Sequence, residues 1–262
     1  FPEGDPDRVM ADYYLADILF FRGRIDESAV LFERALAAQR HLYGISSRPV
    51  ADTLAALAPV RIAEGNIQEA EKLTREALSI HQDSGSTAYL QIGYLQTMLA
   101  TVHMRQGRFK EAEVGLRDTL VLYAKNVPRD HQYVASAEHY LGEALLAQSK
   151  YREAEIVLTA ATERWKRSGA PAWRAARSAS ALGEALNGLG RTDEAEQYLV
   201  DSYRELNSDP GADRDSKRIA RERVSKFYTS TGQRQKLNTL LEEGGGGEAR
   251  QSSVQSTTPP TG

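Results

Sequence analysis

A seven-residue phrase returns along this chain at an almost constant interval, and that interval constrains the fold more than any other feature. Each copy opens on Gly or Ser, and five of the six carry Glu four residues later. The copies begin at Gly23, Gly65, Gly107, Ser149, Gly190 and Gly232, in steps of 42, 42, 42, 41 and 42 residues. A period of this length is typical of solenoids, in which each repeat buries its apolar face only against its neighbours. Such a fold offers an extended surface for a partner rather than a catalytic pocket.

Each period contains one helical pattern before the turn and one after it. Around the first turn, apolar residues recur at spacings of three and four, which indicates two amphipathic helices. They are Leu15, Ala16, Leu19 and Phe20 before Gly23, and Ile25, Ala29, Phe32 and Leu36 after it. Gly suits the C-cap of the first helix, and the acids after it suit the positive end of the second. Two helices of roughly 17–19 residues, each about 27 Å long, fill one period, so the sequence predicts an all-α fold of about six helix pairs.

Small and aromatic residues also keep fixed places around the turn. A small residue lies seven positions before five turns, at Ala16, Ala58, Ala100, Gly142 and Gly183. Ile, Phe or Tyr lies two positions after four turns, at Ile25, Ile67, Phe109 and Tyr151, and Ala or Ser lies five after. This frame resembles the tetratricopeptide repeat, and the 42-residue period resembles its kinesin-light-chain subclass. The resemblance covers residues 8–242. It implies an α-solenoid of about six antiparallel helix pairs in a right-handed superhelix that binds proteins or peptides.

The segments between helix pairs divide the chain further. We expect an extended lead-in at residues 1–7 and repeats at about 8–46, 47–85, 86–128, 129–169, 170–209 and 210–243. Residues 244–262 begin with four Gly and continue rich in Ser, Thr, Gln and Pro, so we expect a flexible tail. Because the chain begins with Phe1 rather than Met, we expect it to be a fragment of a longer protein. Pro59 falls inside a predicted helix and is expected to kink it or to free a backbone carbonyl.

Composition and missing motifs exclude several classes of function. The net charge of −3 gives no reason to expect nucleic acid as a partner. The chain has no Cys, which excludes disulfides and Cys-based zinc sites, and we predict a reducing, cytoplasmic location. No apolar run approaches the roughly 18–20 residues of a membrane span. The five His form no metal-binding motif, and His103 has the spacing of a core residue. We therefore predict no enzyme activity, no cofactor and no metal.

In the tetratricopeptide fold, the first helix of each pair lines the concave face. Its outward positions lie 13, 10, 6 and 3 residues before the turn. At these positions the N-terminal repeats carry aromatic and apolar residues, and the C-terminal repeats carry charged and polar ones. The predicted partner-binding residues are Tyr13, Asp17, Phe20, Tyr94, Thr97, Thr101, His139, Glu143, Arg177, Ser180, Glu184 and Asn187. A ligand with a hydrophobic anchor at one end and polar residues at the other would match them. The alternative is that the aromatic residues simply pack against neighbouring helices.

Two basic stretches have simpler interpretations. The residues from Asp213 to Lys226 are interpreted as a solvated helix face, and Trp165 and Trp173 as staples of a link between helices. The leading functional hypothesis is a non-catalytic scaffold that captures an extended peptide or a helix of a partner protein. A second hypothesis is a regulatory repeat region of a larger signalling enzyme, since the stretch from Arg164 to Arg177 also resembles the repeats that follow bacterial serine/threonine kinases. A third is an oligomerisation module. The partner and the oligomeric state stay open.

Overall fold

The protein is built from antiparallel helix pairs, as the repeat predicts. The computed structural model describes residues 5–83 and 88–252, and side chains as far as residue 243. Within those ranges it contains twelve α-helices and no strand. The helices are α1 Pro6–Phe21, α2 Ile25–Tyr43, α3 Arg48–Ala63, α4 Ile67–Asp83, α5 Tyr89–Arg105, α6 Phe109–Asn126, α7 Gln132–Leu146, α8 Tyr151–Arg167, α9 Ala172–Gly188, α10 Thr192–Ser208, α11 Arg214–Ser230 and α12 Arg234–Ser252. The predicted α-solenoid of about six pairs is confirmed.

The six repeated turns share one hydrogen-bonding pattern. At the first, the Gly23 N–H donates to the Phe20 carbonyl at 2.9 Å and the Arg24 N–H donates to the Leu19 carbonyl at 2.9 Å. These two bonds form a Schellman motif, which needs a left-handed residue and ends the helix there. Gly23 has a φ of +76°. The same pair of bonds closes the other five turns, and Ser149 adopts a φ of +58° to do so.

The helices fall into two compact units. Unit 1, Phe1–Arg129, contains α1 to α6, and unit 2, Asp130–Gly262, contains α7 to α12. In unit 1 the small residues seven positions before the turns lie where the helices of a pair cross. Ala16 is fully buried, and its carbonyl accepts a 2.8 Å hydrogen bond from the Ser28 hydroxyl on α2. This close approach places buried side chains such as Phe32 and Leu54 in a continuous core.

In unit 2, Gly takes the place of this Ala at two of the crossings. A Cβ built on Gly142 would lie 2.3 Å from Cδ2 of Leu158, and one on Gly183 would lie 2.7 Å from Cγ of Leu199. Leu158 is fully buried. The crossing of α7 with α8 and that of α9 with α10 therefore depend on the missing methyl group.

A partly buried cluster of ion pairs and hydrogen bonds links α4 to the turn after α5 in unit 1. The Glu71 carboxylate accepts hydrogen bonds from Gln106 Nε2 at 2.8 Å, Arg75 Nη2 at 2.7 Å and Arg108 Nη1 at 3.3 Å. These hydrogen bonds lower the pKa of Glu71 to about 2, and the bond from Gln106 has the largest effect. His103, predicted to be a core residue, is buried beside the same carboxylate, with its Nε2 3.7 Å from Glu71 Oε1.

Several boundaries differ from those expected from the sequence. Helix α1 begins at Pro6, inside the predicted lead-in, because Asp5 caps it by accepting a 2.9 Å hydrogen bond from the Asp7 N–H. The helical backbone of α12 continues past Glu243 to Ser252. Helix α3 runs from Arg48 to Ala63 with Pro59 inside it. The rest of the lead-in, the link at residues 84–87 and the tail from 253 to 262 lie outside the described residues.

The helix crossing in unit 2 can be tested with a pair of Gly substitutions. We expect Gly142→Ala to lower the free energy of unfolding by about 1–3 kcal/mol, since the new methyl group overpacks against Leu158. Gly115→Ala on α6 meets nothing within 4 Å and should raise that free energy by about 0.5–1 kcal/mol through helix propensity. Urea unfolding followed by circular dichroism measures both. Equal effects of the two substitutions would contradict the close crossing.

The Glu71 cluster predicts a pH-dependent contribution to stability. Since the pKa of Glu71 is lowered in the folded chain, its stabilising effect is present above the ordinary pKa of 4.5 and is lost as pH falls towards 2. Glu71→Gln should lower the free energy of unfolding at pH 7 by about 1–2 kcal/mol. The difference from the parent should shrink below pH 4.5. Glu69→Gln on the same helix is the control, because the ion pair of Glu69 with Lys72 is long, at 3.9 Å. If the difference in unfolding free energy between Glu71→Gln and the parent did not change with pH, the charge of Glu71 would not stabilise the fold.

Candidate functional site

The first helices of the repeats in unit 1 enclose a groove of about 640 Å³. Helix α1 contributes Tyr13, Asp17 and Phe20 to its lining, α3 contributes Asp52 and Pro59, and α5 contributes Tyr94. We call this the aromatic groove. These six residues lie 13, 10, 6 or 3 positions before a turn, so the structure brings together four of the predicted contact residues: Tyr13, Asp17, Phe20 and Tyr94.

The aromatic side chains of the groove combine packing with exposure. The Tyr13 ring lies edge-on to the buried Phe32 ring at 5.5 Å, so one side of Tyr13 belongs to the core. Tyr94 is 38% exposed, and its neighbours on the groove wall, Tyr14 and Phe21, are 57% and 80% exposed. Tyr13 and Phe20 therefore pack in part against the core, as the alternative expects, while Tyr94 keeps about a third of its surface open to the groove.

Two carboxylates lie within this aromatic surface. Burial raises the pKa of Asp17 and also that of Asp52, although His81 and Arg48 partly offset the effect at Asp52. The pKa of Tyr13 is raised by burial first and then by Asp17 and Asp52. The groove predicted from the sequence as a hydrophobic anchor site is therefore acidic as well as aromatic.

Thr97 and Thr101 do not line the aromatic groove. Thr97 is buried, and its hydroxyl donates to the Gly93 carbonyl of its own helix at 2.8 Å. The Thr101 hydroxyl donates to the Thr97 carbonyl at 3.1 Å. Both hydroxyls are satisfied within α5, so we leave them out of the proposed surface.

In unit 2, two of the predicted polar contacts are joined by a residue predicted from the sequence to lie on a solvated helix face. Arg223 of α11 is 8% exposed. It donates from Nη2 to Glu143 of α7 at 2.6 Å and from Nε to Glu184 of α9 at 2.7 Å. Through Arg223, Glu143 and Glu184 therefore hold three first helices together.

The interpretation of Asp213 to Lys226 as a solvated face fails at Arg223. The residues Arg214, Arg218, Arg221 and Lys226 are exposed, as expected. Arg223, in contrast, lies beside Ala220, Val224 and Phe227 on the buried face of α11. The spacing of three and four residues between these positions indicates a buried helix face that includes Arg223. The number of charges in the stretch does not show this.

Two further predicted contacts in unit 2 are buried. His139 is 2% exposed, and its Nδ1 lies 3.1 Å from Oγ of Ser178 on α9. Its pKa is lowered well below the usual value by burial first and then by Arg177 and Arg223, so it is neutral at pH 7. Ser180 is 1% exposed. Neither side chain is accessible to a partner, and we leave both out of the proposed surface.

Arg177 is a predicted contact in unit 2 that stays partly exposed. Its guanidinium lies 5.3 Å from the centre of the Tyr140 ring and 5.8 Å from that of Trp173. Arg174 lies 4.7 Å from the same Trp173 ring. Within the described residues neither guanidinium forms an ion pair, unlike Arg164, which pairs with Glu138 at 2.9 Å. We call Tyr140, Trp173, Arg174 and Arg177 the arginine–aromatic cluster; Asn187 lies half-buried further along α9.

The predicted staple role holds for one of the two Trp residues. Trp165 is 2% exposed and packs against Ala135 and Ala175. Trp173 is only half-buried, and the guanidinium groups of Arg174 and Arg177 lie over its ring.

Within the described part of the chain, no group of three or more His, Cys, Asp or Glu is arranged to hold a metal ion. No helix among those residues has both the length and the apolar character needed to cross a membrane.

Known structures share this arrangement of helices. A putative kinesin light chain from Podosopora anserina with nearly identical TPR-like repeats is 21% identical over 77% of this chain and 96% of its own, with a TM-score of 0.61. BtubC (BKLC) from P. vanneervenii is 20% identical over 92% of this chain and 95% of its own, with a TM-score of 0.66. A Rap protein in complex with Competence and Sporulation Factor is 14% identical over 94% of this chain and 72% of its own, with a TM-score of 0.67.

The family follows from the sequence match. No curated protein matches the sequence significantly. The model of the tetratricopeptide repeat matches residues 7–83, 91–167 and 133–208, which together span more than half of the chain and contain five of its six turns. The chain belongs to the tetratricopeptide repeat family.

Proposed function

We propose that this protein is a non-catalytic scaffold that binds an extended peptide or a helix of a partner protein through the first helices of its repeats. The observation that carries this proposal is the aromatic groove. Helices α1 and α5 place aromatic residues around one opening of about 640 Å³, which α3 also lines. Large aromatic side chains supply much of the binding energy at protein interfaces, so this opening is suited to anchor a partner segment.

The arginine–aromatic cluster supports a second contact region on unit 2. Arg174 and Arg177 lie on aromatic rings and form no ion pair within the described residues, so both can pair with an acidic group of a ligand. Burial, and then the neighbouring Arg177, lower the pKa of Arg174. A negative charge bound there would relieve the repulsion between the two guanidinium groups.

A structural relative provides a precedent of the same kind. The Rap protein with this fold was solved with Competence and Sporulation Factor bound. An identity of 14% supports a shared fold but not a shared ligand. The proposal for this chain therefore depends on the aromatic groove of this chain. The kinase-associated and oligomerisation hypotheses, a cytoplasmic location and the absence of a cofactor stay predictions from the sequence.

A peptide-display selection on the full chain tests the proposal. We expect an enriched motif whose affinity falls about tenfold or more with Tyr94→Ala, since that loss corresponds to removing one interface anchor. If the enriched motif contains an acidic residue, we expect Arg177→Glu to lower the affinity for that peptide as well. Fluorescence anisotropy with the enriched peptide measures both losses, and circular dichroism confirms that the variants stay helical.

Matched controls lie outside the proposed surfaces. Tyr198 on α10 is 38% exposed, the same as Tyr94, and Arg152 on α8 is exposed. Tyr198→Ala and Arg152→Glu should leave the affinity unchanged. Equal losses in the controls would place the binding site elsewhere, and failure to enrich any peptide would reject peptide capture as the function.

A further inference from the structure

The charge of the aromatic groove indicates what kind of side chain it accepts. Resting on the proposed function, we propose that this groove recognises a cationic side chain, Lys or Arg, in the segment that it binds. The hydrophobic anchor expected from the sequence explains the rings but leaves the carboxylates among them without a role.

The two carboxylates come from different helices and meet in one groove. Asp17 lies on α1, Asp52 lies on α3, and both line the opening together with Tyr13. The Tyr13 hydroxyl responds to both charges, since its pKa is raised by burial and then by Asp17 and Asp52 in turn. Asp17 and Asp52 therefore both act on Tyr13 within the groove.

Neither charge is well compensated within the protein. Asp17 has no hydrogen bond or ion pair from its side chain to any described residue. Asp52 lies 3.8 Å from Nε of Arg48, whose side chain is 72% exposed, and 3.7 Å from Nε2 of His81. Because burial lowers the pKa of His81, that ring is neutral at pH 7. The groove therefore keeps a negative charge.

This charge discriminates between possible occupants. An aliphatic side chain seated in the groove would strip water from two carboxylates and give nothing in return, which is costly. A Lys or Arg side chain would lay its apolar stem along Phe20 and Pro59, bring its charge to Asp17 and Asp52, and reach the ring faces of Tyr13 and Tyr94. The groove is therefore selective for a long cationic side chain.

Heptapeptide pools with one fixed central residue test this selectivity. The fixed residue is Lys, Arg, norleucine or Glu, the other positions are randomised, and binding of the full chain to each pool is measured. We expect the Lys and Arg pools to bind at least about fivefold better than the norleucine pool. The Glu pool should bind least, and the preference should weaken at high salt.

A double Asn variant separates charge from shape. Asp17→Asn with Asp52→Asn should abolish the preference for Lys and Arg while leaving the norleucine pool bound. These substitutions are expected to fold, since burial disfavours both charges in the native protein. The control is Asp26→Asn with Asp118→Asn, which changes the net charge equally at two exposed positions of α2 and α6.

The outcomes distinguish this inference from the function on which it rests. If the norleucine pool binds best and the Asn variant behaves as the parent, cationic selectivity is wrong and the scaffold function stands. If a preference for Lys and Arg persists in the Asp17 and Asp52 variant but falls in the control, the cation is read elsewhere and the inference is again wrong. If no pool binds, peptide capture itself fails, and the cationic selectivity fails with it.

Discussion

The close crossing of two helices beside a left-handed turn is the constraint on which the rest of this structure depends. The Schellman bonds end each first helix at a fixed residue, and the small residue seven positions earlier lets the second helix fold back against it. Once those two points are fixed, the residues 13 and 6 positions before each turn stay at least partly exposed. Ser149 shows the strength of the requirement, because a non-Gly residue takes the left-handed conformation to preserve it.

The polar residues of the surface divide into those that the fold uses and those that it leaves available. Glu71 is held by three donors, and Glu143 and Glu184 share Arg223. A carboxylate engaged in this way contributes to folding and has little left to offer a ligand. Asp17 and Arg177 also lie at outward places of first helices, yet within the described residues no ion pair holds them. The neighbouring helices therefore decide which of these charges remain available on the surface.

The sequence predicts the fold well because its signals are local. The turn Gly, the small residue and the acids of the next helix lie within about 12 residues of one another, and six copies repeat them. The repeat register also placed Tyr13, Asp17, Phe20 and Tyr94 on one face, where they line one groove. It placed Thr97 and Thr101 there as well, and these do not line it. What the register could not supply was pairing between repeats. Arg223 is 80 residues from Glu143 in sequence, and the burial of His139 depends on how closely α7 approaches α9.

The repeat fixes the positions on the outer side of the first helices without fixing their chemistry. Thirteen residues before the turn, the chain carries Asp52 in one repeat and Arg177 in another, on the same geometric frame. A substitution at such a position changes the charge of the surface at little cost to the fold, because the core depends on the small residues and the turn. The same separation explains how one architecture accommodates relatives of 14% to 21% identity. Family membership thus accounts for the helical frame, and the charges that this frame leaves unpaired differ from one repeat to the next.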